Sequence, residues 1–435
     1  MELIFAFLVF MAAMIASLSL GISMIAPLLL GIVLFALLGR RRGYGWKALG
    51  GMAAKGMGES MVVVVVMLLI GCLTSLWRQS GTIAYFTYYG IRLIPPQVFV
   101  LAAFLLSALI SYALGTSFGV AGTIGVIMMT IARASGISTV ITGGAIFSGI
   151  YFGDRGSPAA SSASLVANET KTDVSKNFRR MLKSSIVPVA LCIVFYAVLS
   201  IANRPGEMDI SLLDSFAGEF VLSPWCLLPT ALLLALAFAG MKIKYVMAIN
   251  IVVSVALTSL LQAVPVAEVL QMMIVGYAPE DPALTSILSG GGALSMLEVM
   301  AVLLVSSGIA GIFEGTRMLA SLEGLLGRLS GRLGRFPAMV LTSIGVCCIF
   351  CNQTIGIIMC RQCMGKNYGS DAIERESMML DIENSVVTIA GLVPWCIACS
   401  VPMQMLGLDA RSLPFAAFLY LIPLCWYFQS RKKTA

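Results

Sequence analysis

The stretch GGAIFSGIYFGDRGSPAASSASLVANETKTD, residues 143–173, decides how this chain is read. It starts as an apolar pattern of membrane length, breaks at Gly153-Asp154-Arg155-Gly156-Ser157-Pro158, and resumes as Ser and Ala with almost no charge. A carboxylate at membrane depth costs roughly 2.5–3.5 kcal/mol on insertion scales, so an acid there marks a site by default. Irregular backbone at that depth survives only where it is buried in protein or lines a watery cavity. An acid, two glycines and a proline in one short break imply a transport site on a polytopic chain.

The bulk composition agrees. Of 435 residues, 59% are hydrophobic and 11% charged, and the mean hydropathy is +0.96. Soluble domains carry about 25% charged residues, so the soluble classes are excluded. The apolar first ~38 residues are not expected to be a secretory signal: they lack a basic start, carry Glu2, run too long and show no small-residue cleavage pattern. Eleven cysteines fall almost wholly in apolar runs, with Cys347, Cys348, Cys351, Cys360 and Cys363 clustered. That cluster suggests a metal or iron–sulfur site, but the chain has no histidine, and small polarizable thiols pack well in apolar helices. Packing is also the plainer account of the 26 methionines.

A crossing helix needs about 20 apolar residues. Runs of that order lie near 3–20, 22–39, 60–78, 96–114, 117–132 and 137–152, then near 184–203, 223–240, 245–262, 293–313, 337–360, 378–406 and 412–429. Gly, Pro and polar residues interrupt several, so the fold class expected is an all-α polytopic membrane protein of about 10–13 segments, some re-entrant or discontinuous. Arg40-Arg41-Arg42, Lys47, Lys55, the basic cluster 171–183, Lys242/Lys244 and the Arg431-Lys432-Lys433 tail mark the cytoplasmic side. Glu207, Asp209, Asp214 and Glu219, and the cluster Glu268, Glu280 and Asp281, lie in stretches free of Lys and Arg and should face outward. Both termini are then cytoplasmic. This positive-inside bias accounts for the net charge of +7 without a nucleic-acid partner.

An external linker at 204–222 would divide the chain into halves 1–203 and 223–435, each with an odd number of crossings, as an inverted-topology repeat requires. The halves share a layout. Gly115-Thr116-Ser117-Phe118-Gly119 is followed by the break at Asp154, and Asn352-Gln353-Thr354-Ile355-Gly356 by Asp381-Ile382-Glu383-Asn384-Ser385. Breaks are expected near 115–125, 143–165, 352–356 and 381–396. Arg317–Arg335 reads equally as an interfacial amphipathic helix or as a connecting arm.

Cation-coupled transport needs oxygen ligands at the midplane and an acid that exchanges a proton for the ion, and broken helices supply both. The ligand candidates are Asp154, Ser157, Ser161, Ser164, Thr116, Ser117, Asn352, Thr354, Glu383, Asn384 and Ser385, with Asp154 and Glu383 as the acids that would hold Na+. Ser162 and Gln353 are further polar donors offered beside them. Each has a plainer role open to it. Small residues allow close helix packing; Asp154 has Arg155 and Arg133 as ion-pair partners; Glu314 has Arg317; Asp381 and Glu383 can sit at a solvated helix start near Arg375 and Glu376. No side chain here has an unperturbed pKa near neutrality. Proton exchange therefore falls to buried carboxylates, with Asp154, Glu314 and Glu383 as candidates.

At these residues the chain resembles the NhaC-type Na+/H+ antiporter family of the ion transporter superfamily. The matching stretches are GTSFGVAGTIGV (115–126), GAIFSGIYFGDRGSP (144–158), Thr172-Asp173, GGGALSMLEV (290–299), GIAGIFEGTRML (308–319) and ENSVVTIAGLVPW (383–395), in the family's order over roughly 60–425. The resemblance implies an inverted-repeat secondary transporter with re-entrant hairpins, exchanging Na+ for H+, with relatives that couple ion gradients to organic acids or amino acids. It matches Asp154 to the family's GD acid, Ser157-Pro158 to its SP turn, Glu314 to the acid after the second-half glycines, and Glu383 to the first acid of a Glu-Asp-Ser motif. The chain departs from the pattern at Ser161, where Asp is usual, at Ser164, where Asn is, and at Asn384, where Asp is. With two carboxylates fewer, the site suits either one Na+ held partly by neutral oxygens or an organic solute moved with fewer ions.

Function is therefore expected to be secondary antiport in a plasma or bacterial inner membrane, with a Na+- or H+-coupled carrier of a small organic acid or amino acid as the alternative. Neither enzymatic chemistry nor a resident cofactor is expected, Na+ and H+ being cargo. The expected partners are the bilayer, the transported species and at most a second copy of the chain in a homodimer. A channel lacks support, because no ring-like charged filter is visible.

Overall fold

A computed structural model describes residues 2–203, 211–318, 328 and 330–434. The regular elements among them are helical, and sheet-type pairing among the described residues is limited to one antiparallel bridge between Tyr277 and Gly290. The first part contains α1 (Glu2–Leu20), α2 (Ile25–Arg41), α3 (Trp46–Glu59), α4 (Met61–Gln79), α5 (Thr82–Leu93), α6 (Phe99–Leu114), α7 (Ser117–Val120), α8 (Val126–Ala134), α9 (Thr139–Gly156), α10 (Ser161–Thr170) and α11 (Val174–Ala202). The second contains α12 (Ser211–Glu219), α13 (Leu228–Phe238), α14 (Ile243–Leu261), α15 (Val266–Val275), α16 (Pro282–Leu288), α17 (Leu297–Thr316), α18 (Arg335–Phe350), α19 (Gln353–Met364), α20 (Ala372–Glu383), α21 (Val386–Ile389), α22 (Ile397–Leu406) and α23 (Ala417–Thr434).

Seven helical stretches among the described residues are long and apolar enough to cross a bilayer, and two bent pairs bring the number to nine. The pairs are Leu212–Glu219 with Pro224–Phe238, bent by 95°, and Ala372–Leu392 with Ile397–Leu406, bent by 49°. The other four expected segments fall on shorter or polar helices: α2 and α18 have 17 and 16 residues, α9 carries Asp154 and Arg155 in its last turn, and α23 runs on into Arg431-Lys432-Lys433. The outer surface is apolar where water would demand otherwise. Ile186, Val187, Val194, Val198 and Ile201 of α11 are all exposed, a belt that lipid covers at no desolvation cost. This is a multi-pass membrane protein. Glu207 and Asp209 of the linker expected to face outward, and 319–327 and 329 of the Arg317–Arg335 arm, lie outside the described residues.

Two helix breaks share one backbone geometry. α6 ends at Gly115 (φ 65°, ψ 29°), and α7 starts after Thr116 (φ −146°, ψ 124°). α18 ends at Cys351 (φ 54°, ψ 19°), and α19 starts after Asn352 (φ −143°, ψ 126°). The first residue of each pair turns left-handed, and the second is extended and caps the next helix. Thr116 Oγ1 accepts from the Gly119 amide at 3.3 Å, and Asn352 Oδ1 from the amides of Thr354 and Ile355 at 2.9 and 3.4 Å. Glycine is required at 115 on two counts, since a Cβ there would lie 2.4 Å from the Ala159 carbonyl carbon. Cys351 adopts the same conformation with a Cβ, at a cost of roughly 1–2 kcal/mol.

The remaining breaks lie at the acids. α9 stops at Gly156, a turn follows in which the Ala160 amide donates to the Ser157 carbonyl at 3.1 Å, and α10 begins at Ser161. α20 stops at Glu383; Asn384 and Ser385 turn the chain into α21, and non-helical backbone around Val393–Cys396 precedes α22. Gly149 and Gly153 let α9 press against α6, their missing Cβ positions falling 2.6 Å from the Phe104 carbonyl oxygen and 2.1 Å from the Ser111 carbonyl carbon. This contact and the Tyr151 hydroxyl, which donates to the Ala398 carbonyl at 2.5 Å, fix α9 against both parts of the chain.

Candidate functional site

Charge is scarce inside this protein. Among the described residues, the buried Asp, Glu, Lys and Arg side chains are Arg78, Asp154, Arg155, Asp381 and Glu383. Three of these, Asp154, Arg155 and Glu383, meet where the breaks converge.

Asp154 lies at the end of α9 and is met from both capped breaks. Ser117, at the start of α7, faces its carboxylate with its amide and hydroxyl. Gln353, at the start of α19, donates from Nε2 to Asp154 Oδ2 at 3.1 Å and to the Val387 carbonyl at 2.8 Å. Both are first-turn residues, where helix amides point outward and favour negative charge. Ser162 Oγ, from the first turn of α10, donates to the Asp154 carbonyl at 2.5 Å and holds the link shut beneath the side chain.

Glu383, 1% exposed, is the last residue of α20 and interacts electrostatically with Arg155 and Asp154. Its Oε2 has no hydrogen-bond partner. Arg155, fully buried, does not pair with either acid. Its Nη1 donates to Ser185 Oγ at 2.6 Å and the Met181 carbonyl at 3.3 Å; its Nη2 donates to Ser184 Oγ at 2.6 Å and Asn384 Oδ1 at 2.5 Å. The ion pair open to Asp154 with Arg155 or Arg133 is thus not what forms, and Arg133 instead donates to the Leu406 carbonyl at 2.5 Å.

The structure brings Asp154, Ser117, Glu383 and Asn384 into this cluster and gives the other candidates different places. Ser157 is buried, and its hydroxyl accepts from the Ala159 amide. Ser385 donates to the Asp381 carbonyl at 2.5 Å and accepts from Ser343 at 3.1 Å. Thr116 and Asn352 act as caps. Ser161 and Thr354 are exposed and Ser164 is half-buried. Glu314 stands apart at the end of α17, half-exposed, 3.7 Å from Lys55 and not in an ion pair with Arg317.

Asp381 is not at a solvated helix start. It is buried, with Tyr368 Oη and Trp426 Nε1 each donating to it at 2.7 Å. Two residues from Glu383, it sits about 200° around α20, beside a cavity of about 740 Å³ that Arg335 and Glu374 also line. Sequence reasoning counted Gln353 among the polar donors of the second half without giving it a role at Asp154, and missed Ser184 and Ser185 altogether. The signal for Gln353 was its position one residue after a cap; the serines, mid-helix in an apolar run, carried none.

The profile of the Na+/H+ antiporter family matches residues 149–427, which contain the Asp154, Gln353 and Glu383 cluster. The chain is 26% identical over 387 residues to the malate-2H+/Na+-lactate antiporter of Bacillus subtilis (strain 168), covering 87% of this chain and 83% of that protein. It is 25% identical over 404 residues to the Na+/H+ antiporter NhaC of Alkalihalophilus pseudofirmus, covering 91% and 87% of the two chains. It is also 25% identical over 434 residues to the arginine/ornithine antiporter ArcD of Halobacterium salinarum, covering 95% and 88%. With a multi-pass helical fold and a family profile matched over more than half its length, this chain belongs to the Na+/H+ antiporter family.

Proposed function

We propose that the protein is a secondary active transporter that exchanges Na+ for H+ by alternating access in a cell membrane, with both termini in the cytoplasm. One observation carries the reading: Asp154, a buried carboxylate, is hydrogen-bonded by Gln353 and faced by Ser117, each in the first turn of a helix that follows one of two breaks of matching geometry. A site built this way offers carboxylate oxygens of Asp154 and Glu383, with Ser117 and Gln353 holding the first of them in position. Na+ and H+ would compete for the same carboxylates, so that either cargo neutralises the site and permits the protein to turn it to the other side. Glu314, exposed and paired with Lys55, has no part in this scheme.

The matching breaks support two inverted half-repeats, 1–203 and 223–435, with the link between them outside. Rocking one half about α9 would expose the cluster alternately. No resident cofactor is called for, and nothing in the scheme needs a second copy of the chain.

A second reading keeps the scaffold and changes the cargo. The relatives named for malate and lactate and for arginine and ornithine, together with Ser161 and Asn384 where the family pattern carries acids, favour a Na+- or H+-coupled carrier of a small organic acid or amino acid. The deciding experiment is flux in proteoliposomes with a pH dye inside, voltage clamped with valinomycin, on adding Na+, Li+ or K+. Na+-dependent alkalinisation lost in Asp154→Asn supports exchange; no response to any cation alone moves the assignment to the organic-solute carrier.

A further inference from the structure

A cavity of about 790 Å³ shares no residue with the Asp154 cluster and has no part in the exchange scheme. Its walls carry the carboxylates of Asp214, Glu219, Glu268, Glu280 and Asp281, and among the described residues no Lys or Arg lines it. Acids alone make a solvated face as readily as a site. Two of these, however, are fixed in place. Glu219 accepts from the Tyr277 hydroxyl and the Glu280 amide, each at 2.9 Å, and from the Asp281 amide at 2.8 Å. Asp281 in turn accepts from the Ala283 amide at 2.8 Å.

The observation that points to a ligand is Gln79, the last residue of α4, which lines the same cavity. It is 3% exposed, and its Oε1 has no hydrogen-bond partner. Turning the amide over does not cure this. Ser75 gives its single hydroxyl proton to the Met272 carbonyl at 2.7 Å, so it can only accept from Gln79, whose Nε2 lies 3.0 Å away. Nitrogen must face Ser75, and oxygen is the end left over. A buried acceptor without a donor is destabilising, and a donor arriving in the cavity removes that cost. The C-terminal end of α4 adds partial negative charge beside it. Arg78, next in the chain, is turned elsewhere and donates to the Leu288 and Ser289 carbonyls at 2.7 and 3.0 Å.

Acceptors without donors select a cation that carries N–H groups. A bare metal ion does not fit, because no three Asp, Glu, Cys or His side chains among the described residues converge to hold one. Phe220, Val264 and Met272 instead give the cavity an apolar wall for a carbon skeleton. We propose that this cavity is a second binding site, separate from Asp154, for a small organic cation bearing ammonium or guanidinium groups. Gln79 Oε1 accepts from one N–H, and the surrounding carboxylates hold the charge. The site stands or falls independently of the exchange reading.

The test is calorimetric titration of agmatine, which has one group of each kind, into the purified 435-residue chain in detergent at low salt. Wild type should bind it, and Gln79→Leu should weaken binding roughly tenfold or more, since a hydrogen bond to a charged group is lost. Asp214→Asn with Glu268→Gln, both exposed, should weaken it too and flatten its dependence on salt. That double variant tests the site even if Gln79→Leu fails to fold. Asp154→Asn should bind as wild type does. A wild type that does not bind agmatine overturns the proposal. So does an affinity unchanged in Gln79→Leu or, where that variant does not fold, in the double variant. Loss of binding in Asp154→Asn would assign the cation to the transport site, and displacement of agmatine by Mg2+ at equal concentration would mark a metal site; either overturns the proposal.

Discussion

Gln353 donates to Asp154 across 199 positions of sequence, at 3.1 Å, from the first turn of a helix that begins after a left-handed residue and an extended cap. Ser117 faces the same carboxylate from the first turn after the matching break at Gly115-Thr116. One acid is thus met from two breaks of one backbone geometry, so a shift of either break relative to α9 must alter its surroundings.

Removing the charge at this point should remove the activity. Asp154→Asn keeps shape and most of the hydrogen bonding, but a lost ionic partner in a buried site costs about 3 kcal/mol or more. Cation-driven flux in proteoliposomes should fall by roughly two orders of magnitude, with the protein still inserted and monodisperse.

Gln353→Leu tests the hydrogen bond between the start of α19 and the end of α9. A hydrogen bond to a charged group contributes about 1.5–3 kcal/mol, so the Na+ concentration for half-maximal flux should rise by roughly 10-fold or more. The maximal rate should change less, because Ser117 and both carboxylates remain. Concentration series on wild type and variant separate the two effects.

Gly115→Ala should injure the break itself. The new Cβ would sit 2.4 Å from the Ala159 carbonyl carbon in a left-handed residue, and strained backbone of that kind costs about 1–3 kcal/mol. Thermal unfolding in detergent should show a lower midpoint, and flux should fall because Ser117 is carried away from Asp154.

Glu314→Gln should do little. Its partner Lys55 is 3.7 Å away and both side chains are more than half exposed, a setting worth about 0–1 kcal/mol. Flux within about twofold of wild type, with an unchanged pH profile, is the expected result; loss of proton coupling would return Glu314 to the mechanism.

Asp281 gives a pH dependence away from the ion site. The Ser215 hydroxyl and the Ala283 amide hold its carboxyl below the usual range as it caps α16. A carboxyl lowered in the folded state adds stability above its unfolded pKa, about 3.9, and that contribution is lost as pH falls through the folded value. The protection of the α16 amides, taken relative to the intrinsic exchange rate at each pH, should therefore be flat near neutrality and fall in acid, and Asp281→Asn should blunt the change.

Much of this protein was legible from residues alone because lipid imposes a simple rule. Every backbone polar group in hydrocarbon must be paired within its own segment, so long apolar runs can become little other than helices. The helical class, the membrane setting and the family followed from the apolar runs and from the GTSFG and YFGDRGSP stretches. Asp154 stood out for the same reason, an acid where an acid is costly. What the runs did not carry was the count of clean crossings, since α9 and α18 pack their polar or short segments inside the protein.

Only the tertiary structure decided which polar residues meet. Arg155 adjoins Asp154 in sequence, yet its fork turns toward Ser184, Ser185 and Asn384, because successive side chains on a helix point about 100° apart. Asp381 and Glu383 are two residues apart and equally buried, but they serve opposite faces of α20. Glu314 looked like a partner for Arg317 and paired with Lys55 from α3. Hydropathy depends on what each residue is and can be read along the chain. Charge pairing depends on where helices from distant parts of the sequence cross, and that is fixed by packing, here by Gly149 and Gly153 bringing α9 onto α6.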